Sequence, residues 1–102
     1  MYNLVIADSA EYDLEKIISY FTDTLIAPVA ASRFLDAVYE CYDNLENFPF
    51  MYEQCRNPKL KNAGYRRAII DSYVLIYEVQ EENKSVVVHH FFYGRQEYSK
   101  LI

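Results

Sequence analysis

Arginine and tyrosine crowd the second half of this sequence. Arg66 and Arg67 are adjacent, Arg95 lies near the end, and Tyr65, Tyr73, Tyr77, Tyr93 and Tyr98 are spread among them. A guanidinium beside an aromatic face can stack a base, grip an anionic surface, or flank an extended partner strand. Five of the ten basic residues fall in Arg56, Lys59, Lys61, Arg66 and Arg67, a cluster that stays solvated or faces something anionic. His89 and His90 are the only histidines. Adjacent side chains on a strand point to opposite faces, so the pair is not expected to chelate one metal. A histidine on the exposed face of that strand could act as a general base near neutral pH. The motifs that mark serine hydrolases, phosphate-loop enzymes, dinucleotide binders and zinc peptidases are absent, and no cofactor or metal is expected.

The elements that must position these groups belong to a short chain. It has 102 residues, 52% of them hydrophobic and 25% charged, with 2 Gly and 3 Pro, which is the composition of one ordinary globular domain, 1–102. No apolar run approaches the roughly 20 residues of a membrane span, and the N-terminus lacks the basic and long apolar regions of a signal peptide. The cytoplasm is the expected compartment, and Cys41 and Cys55 read as reduced, buried, small hydrophobes. The net charge of −5 excludes a nucleic-acid binder that works through a global positive field. The charge is uneven: residues 1–55 carry 2 bases against 10 acids, and residues 56–102 carry 8 bases against 5 acids.

Tyr2 to Ala7 reads as a strand running into a helix, with Asp8 and Glu11 spaced as a capping box. Leu14, Ile17, Ile18, Phe21 and Leu25 then repeat at helical spacing over about residues 10–24. Pro28 suits the first turn of a second helix, whose apolar stripe of Ala31, Phe34, Leu35, Val38, Tyr42 and Leu45 runs to Asn47 before Pro49. The short link Leu25 to Ala27 makes the two helices an antiparallel hairpin. Residues 50–63 read as a polar basic loop, and Gly64 as a turn. Tyr65 to Ile70, Tyr73 to Val79 and Val86 to Tyr93 are β-branched and aromatic runs that form two hairpins. Tyr98 and Leu101 have helical spacing in the tail. The result is an α+β domain in the order β-α-α-β-β-β, an antiparallel sheet with the helical hairpin on one face.

The ordered set Ala10…Leu14…Ile17…Tyr20, Ala31…Phe34, Leu45…Pro49, Gly64-Tyr65-Arg66-Arg67, Tyr73 to Val79 and Tyr93-Gly94-Arg95-Gln96-Glu97-Tyr98 resembles the RelE/ParE superfamily of type II toxin-antitoxin toxins, a plasmid-stabilisation family. The resemblance spans essentially the whole chain. It implies a small bacterial toxin, held inactive by a cognate antitoxin that wraps around it, and it leaves room for a homodimer. The apolar seat for the antitoxin is expected on the sheet and the helical hairpin.

Two activities exist in the superfamily. RelE-like members cut mRNA on the ribosome without metal, and ParE-like members poison DNA gyrase. Val74 stands where RelE-like nucleases carry arginine, Gln96 where a second base is common, and Tyr93 where related sequences have histidine. With the acidic net charge, these departures favour a ParE-like toxin that binds its target rather than an enzyme. Arg66, Arg67, Arg95, Tyr73, Tyr93 and Tyr98 form the expected target-binding surface. If the chain is instead an endoribonuclease, Arg66 or Arg67 would hold the phosphate, His90 or Tyr93 would be the base and Tyr98 the acid. A non-toxic interaction module that keeps the fold is the remaining alternative.

Overall fold

The computed structural model describes residues 1–95. Four strands and three helices follow one another as β1 (Asn3–Ile6), α1 (Asp8–Ser19), α2 (Pro28–Asn47), α3 (Pro58–Asn62), β2 (Tyr65–Ile70), β3 (Tyr73–Gln80) and β4 (Ser85–Tyr93). This is the expected α+β order, with one short helix added in the basic loop. Asn57 caps that helix, its Oδ1 accepting from the backbone N–H groups of Lys59 and Leu60. The tail residues Tyr98 and Leu101 lie outside the described residues.

The sheet order is β1-β4-β3-β2. The two hairpins are antiparallel as expected, but β1 pairs with β4 in parallel, Leu4 opposite Val86 and Ile6 opposite Val88. The sheet is therefore mixed. The helical hairpin between β1 and the meander is the crossover that a parallel pair requires.

Alternation along the strands sends two sets of side chains to two cores. Ala68, Ile70, Leu75, Tyr77, Val86, Val88 and Phe91 pack under Ala10 and Ile17 of α1 and Phe34, Val38, Cys41 and Leu45 of α2. On the other face Val74, Ile76 and Phe92 pack with Cys55 and Leu60. Both cysteines are buried and free, as expected. Burial raises the Cys41 thiol to about 11. Tyr77 is fully buried and donates to Pro49 O at 2.7 Å, which ties the chain after α2 to the sheet.

The expected capping box at Asp8 and Glu11 does not form. Ala7 occupies the N-cap and makes no side-chain bond, so both carboxylates act only on the helix dipole from within the first turn. Pro28 opens α2 as anticipated. α1 ends sooner than its apolar period suggests: after Ser19 the backbone widens into a π-helical turn, Tyr20–Thr24. Ile26 then adopts φ 51, a left-handed conformation that a β-branched residue rarely takes.

Candidate functional site

The β2–β3 hairpin closes through the two-residue loop Asp71-Ser72, with Asp71 at φ 53. Gly94 follows β4 and donates its N–H to Ser72 O at 2.7 Å. A Cβ at Gly94 would stand 3.0 Å from that same oxygen, so a larger residue would have to push the Ser72 carbonyl back and loosen the contact. This contact fixes the end of β4 against the hairpin loop and sets Arg95 beside it. The result is a cleft of about 270 Å³ lined by Arg67, Ile69, Asp71, Ser72, Tyr73, Val74, Tyr93, Gly94 and Arg95.

Four of the residues singled out from the sequence, Arg67, Tyr73, Tyr93 and Arg95, meet at this cleft. Arg67 lies on the sheet face away from the hairpin helices, opposite Ile76, with a side chain only 15% exposed. Its Nε donates to Glu53 Oε1 at 2.7 Å and its Nη2 lies 2.6 Å from the same oxygen. That hydrogen bond holds the Glu53 carboxyl below its ordinary range. Tyr73 and Tyr93 face each other edge to face at 5.7 Å. Tyr73 also packs on Phe34 and Phe21, and burial raises its phenol above the ordinary value. Tyr93 is 44% exposed and presents its ring at the rim.

Arg66 does not join them. As the neighbour of Arg67 on a strand it points to the helix side, where it pairs with Tyr77. There its Nη1 donates to Tyr52 O at 2.8 Å, and its guanidinium lies 5.0 Å from the centre of the Phe50 ring. Of the two arginines expected at the site only Arg67 reaches the cleft, because the sheet separates it from Arg66.

The two histidines also need correcting. Tyr77 pairs with Val88 and Ile76 with His90, so His89 is an extra residue in a β-bulge. The bulge puts both rings on the same face rather than on opposite ones. His89 Nε2 lies 3.1 Å from Glu78 Oε1 and its ring meets Tyr65 edge to face. His90 stacks on Phe92 at 5.0 Å, and its Nδ1 lies 3.0 Å from Asp13 Oδ2. Each histidine is thus engaged by its own carboxylate, and neither lines the cleft. Among the described residues no three His, Cys, Asp or Glu side chains gather as a metal site. Tyr98, the proposed acid, lies outside the described residues.

Sequence reasoning missed Ile69 and Asp71 as cleft residues and Asp13 as the partner of His90. The signal for the first two was present, since Asp71 forms the turn between adjacent strands and Ile69 lies near the end of the strand that enters it. Asp13 gave none, being 77 residues from His90. A second concavity, about 460 Å³, runs between the two long helices, with Leu14, Ile18 and Leu35 on its floor and Glu11, Glu15 and Ser19 around them.

The family model describing the ParE toxin of type II toxin-antitoxin system, parDE, matches residues 4–98. A search of curated proteins finds no significant match. Among solved structures, the chromosomal ParDE toxin-antitoxin system from P. aeruginosa aligns at TM-score 0.71 and 18% identity, covering 91% of this chain and 96% of that one. The toxin-antitoxin complex RelBE2 from Mycobacterium tuberculosis aligns at TM-score 0.64 and 23% identity, covering 90% and 96%. A metal-bound toxin from Helicobacter pylori aligns at TM-score 0.66 and 13% identity over the full length of both chains. At these identities the likeness is one of fold.

Proposed function

The chain belongs to the ParE toxin family of type II toxin-antitoxin systems, and from that membership we propose that it inhibits bacterial growth by binding a target such as DNA gyrase, not by cutting RNA. The observation that carries this reading is the composition of the cleft. Its cations, Arg67 and Arg95, sit beside aliphatic Ile69 and Val74, and no histidine lines it. Arg66 is committed to Tyr52 and Phe50 on the far side of the sheet, and the Nδ1 of His90 to Asp13. An RNase that works without metal needs a base, an acid and phosphate donors converging on one 2′-hydroxyl and its phosphate. Arg67 and Tyr93 of that set line the cleft, but Arg66 and His90 are held elsewhere, and two arginines beside an apolar wall and a tyrosine rim suit the grip of an anionic or mixed protein surface.

A cognate antitoxin is the expected partner. The groove between α1 and α2 offers it a seat, since an apolar floor flanked by Glu11 and Glu15 suits an amphipathic helix with basic residues beside its apolar stripe. The test is induction of this chain alone in bacteria, with mRNA 5′ ends mapped within minutes and purified gyrase assayed for supercoiling and trapped cleavage. Intact mRNA with inhibited gyrase supports the proposal. New codon-positioned mRNA ends that disappear in the Arg67→Ala variant would establish a ribosome-dependent endonuclease in its place. Unchanged growth from soluble, folded protein would leave an interaction module.

A further inference from the structure

We infer that Glu53 holds the Arg67 guanidinium in place of a partner's carboxylate, and that an acidic protein segment entering the cleft takes Arg67 while Glu53 passes to Arg56. The inference rests on the reading of the cleft as a protein-binding surface. Glu53 Oε1 accepts from Arg67 Nε at 2.7 Å and lies 2.6 Å from its Nη2, so one oxygen meets two donors on the side of the guanidinium. The same oxygen lies 3.5 Å from Arg56 Nη2. One carboxylate thus stands between two arginines in different settings, the Arg67 side chain 15% exposed and that of Arg56 77%. Arg67 lines the cleft and Glu53 does not, so the pair draws the guanidinium's charge away from the cleft. The exchange leaves no charge unpaired, because Glu53 is already within reach of Arg56. With its own side chain 49% exposed, Glu53 gives up little by changing from one arginine to the other.

The backbone tethers Glu53 where it is. Its C=O accepts the Arg67 N–H and Cys55 N–H donates to Tyr65 O, both at 3.0 Å, which lays residues 53–55 along β2. A tethered carboxylate competes at the high effective concentration of an intramolecular contact, so a small free anion displaces it poorly. A partner succeeds by adding contacts that Glu53 does not make: a second carboxylate on Arg95, and apolar contact with the exposed Ile69 and the Tyr93 ring. Glu53 therefore acts as a filter, reserving the cleft for a segment that engages several of its residues at once. The carboxylate is the group selected, because paired N–H donors on one side of a guanidinium match its geometry and already hold one.

The test follows the Arg67 Nε–H signal of the purified full-length chain by NMR while blocked hexaglutamate is added at pH 7 and low salt, the signal being assigned by its loss in Arg67→Lys. Glu53→Gln keeps the backbone bonds of residue 53 and is expected to bind the peptide roughly threefold or more tightly than wild type. Arg56→Gln removes the arginine that receives Glu53, and should weaken binding more than Lys59→Gln, which loses the same charge from an exposed position. Acetate at a matched concentration of carboxylate should leave the wild-type Arg67 signal in place. Circular dichroism identical to wild type would show that the variants fold. None of these readouts involves gyrase or growth, so they hold or fail separately from the choice of target. A Glu53→Gln chain that binds hexaglutamate no more tightly than wild type overturns the inference, as does binding that leaves the Arg67 signal unmoved. A larger gain for a thymidylate strand of the same length than for hexaglutamate also overturns it, by making phosphate the group selected.

Discussion

Arg66 and Arg67 carry the same guanidinium one residue apart, yet the pleat gives them different work. Arg66→Ala removes a charge-assisted bond to Tyr52 O and the contact with Phe50, so it is expected to lower stability by about 2 kcal/mol in urea melts. Loss of toxicity in that variant would then report unfolding. Arg95 is exposed and lies on the cleft rim, so Arg95→Ala is expected to leave the melting curve unchanged while abolishing growth inhibition. Full toxicity from folded Arg95→Ala protein would remove the cleft from the mechanism. Arg67 also sets a pH dependence through Glu53. A carboxylate held below its ordinary 4.5 stabilises the fold above that pH, and the contribution is lost as pH falls through the lowered folded value. Below about pH 4.5 the stability of wild type should therefore fall more steeply than that of Glu53→Gln. Ile26 offers the opposite kind of change. It is 74% exposed at φ 51, so replacing it removes little buried surface and relieves a left-handed β-branched backbone. Ile26→Gly is expected to gain roughly 0.5–1 kcal/mol, because the relief of about 1–2 exceeds the added unfolded-state entropy. A lower melting temperature for that variant would mean the exposed side chain holds the helical hairpin.

At the scale of elements, α1 does more than cover the sheet. β1 reaches only as far as Val88 along β4, and beyond it α1 takes over the edge. Ala7 N–H donates to Val88 O, Ser9 Oγ to His89 O, and Asp13 Oδ2 accepts from Phe91 N–H while meeting His90 Nδ1. A helix bearing short polar side chains thus replaces a missing strand. Asp13→Ala leaves the Phe91 N–H unpaired in a partly buried position and is expected to cost about 1–3 kcal/mol, whereas Asp13→Asn, which keeps an acceptor, should cost less. Equal losses in urea denaturation would show that the carboxylate charge, not the hydrogen bond, matters there. None of this was legible in the sequence, although the strands themselves were. The β-branched runs at 65–70, 73–80 and 85–93 and the two amphipathic helices are local patterns, and reading them sufficed for the α+β order. What escaped depends on residues far apart: the parallel pairing of Asn3–Ile6 with β4, the bulge at His89 that turns two histidines to one face, and the Asp13 contact. The helix at Pro58–Asn62 escaped for another reason, since five residues carry too little periodicity to stand out from a loop.

Across the whole molecule, the uneven charge of the sequence becomes a difference between two faces. Glu11, Glu15, Asp23, Asp36, Glu40 and Asp43 lie exposed on the helical hairpin or the turn within it, whereas Arg56, Lys59 and Lys61 lie exposed around α3, which packs against β2 from beyond the hairpin. Arg67 and Arg95 continue the basic side toward the cleft. Glu53 offsets part of it by meeting Arg56 and Arg67. A net charge of −5 is thus a poor guide to what either face attracts, because fields from exposed charges fade over roughly 10 Å at 0.1 M salt, less than the 21 Å of the shortest molecular dimension. The hairpin suits a basic partner and the opposite side an acidic one, so ligands of the two faces can be told apart by the sign of charge each must carry. The chain is therefore expected to be retained on a heparin column at low salt and pH 7, despite a pI near 4.9, and to be released as salt rises. Reversing the two exposed lysines, Lys59→Glu with Lys61→Glu, should abolish retention and leave the fold intact, since neither makes a tertiary bond that the core depends on: Leu60 between them is the buried anchor of α3. If wild type flows through, or if the reversed variant is retained as well, the basic side is too well neutralised by its own acids to recruit anything. The recognition attributed to the cleft would then have to come from shape and apolar contact alone.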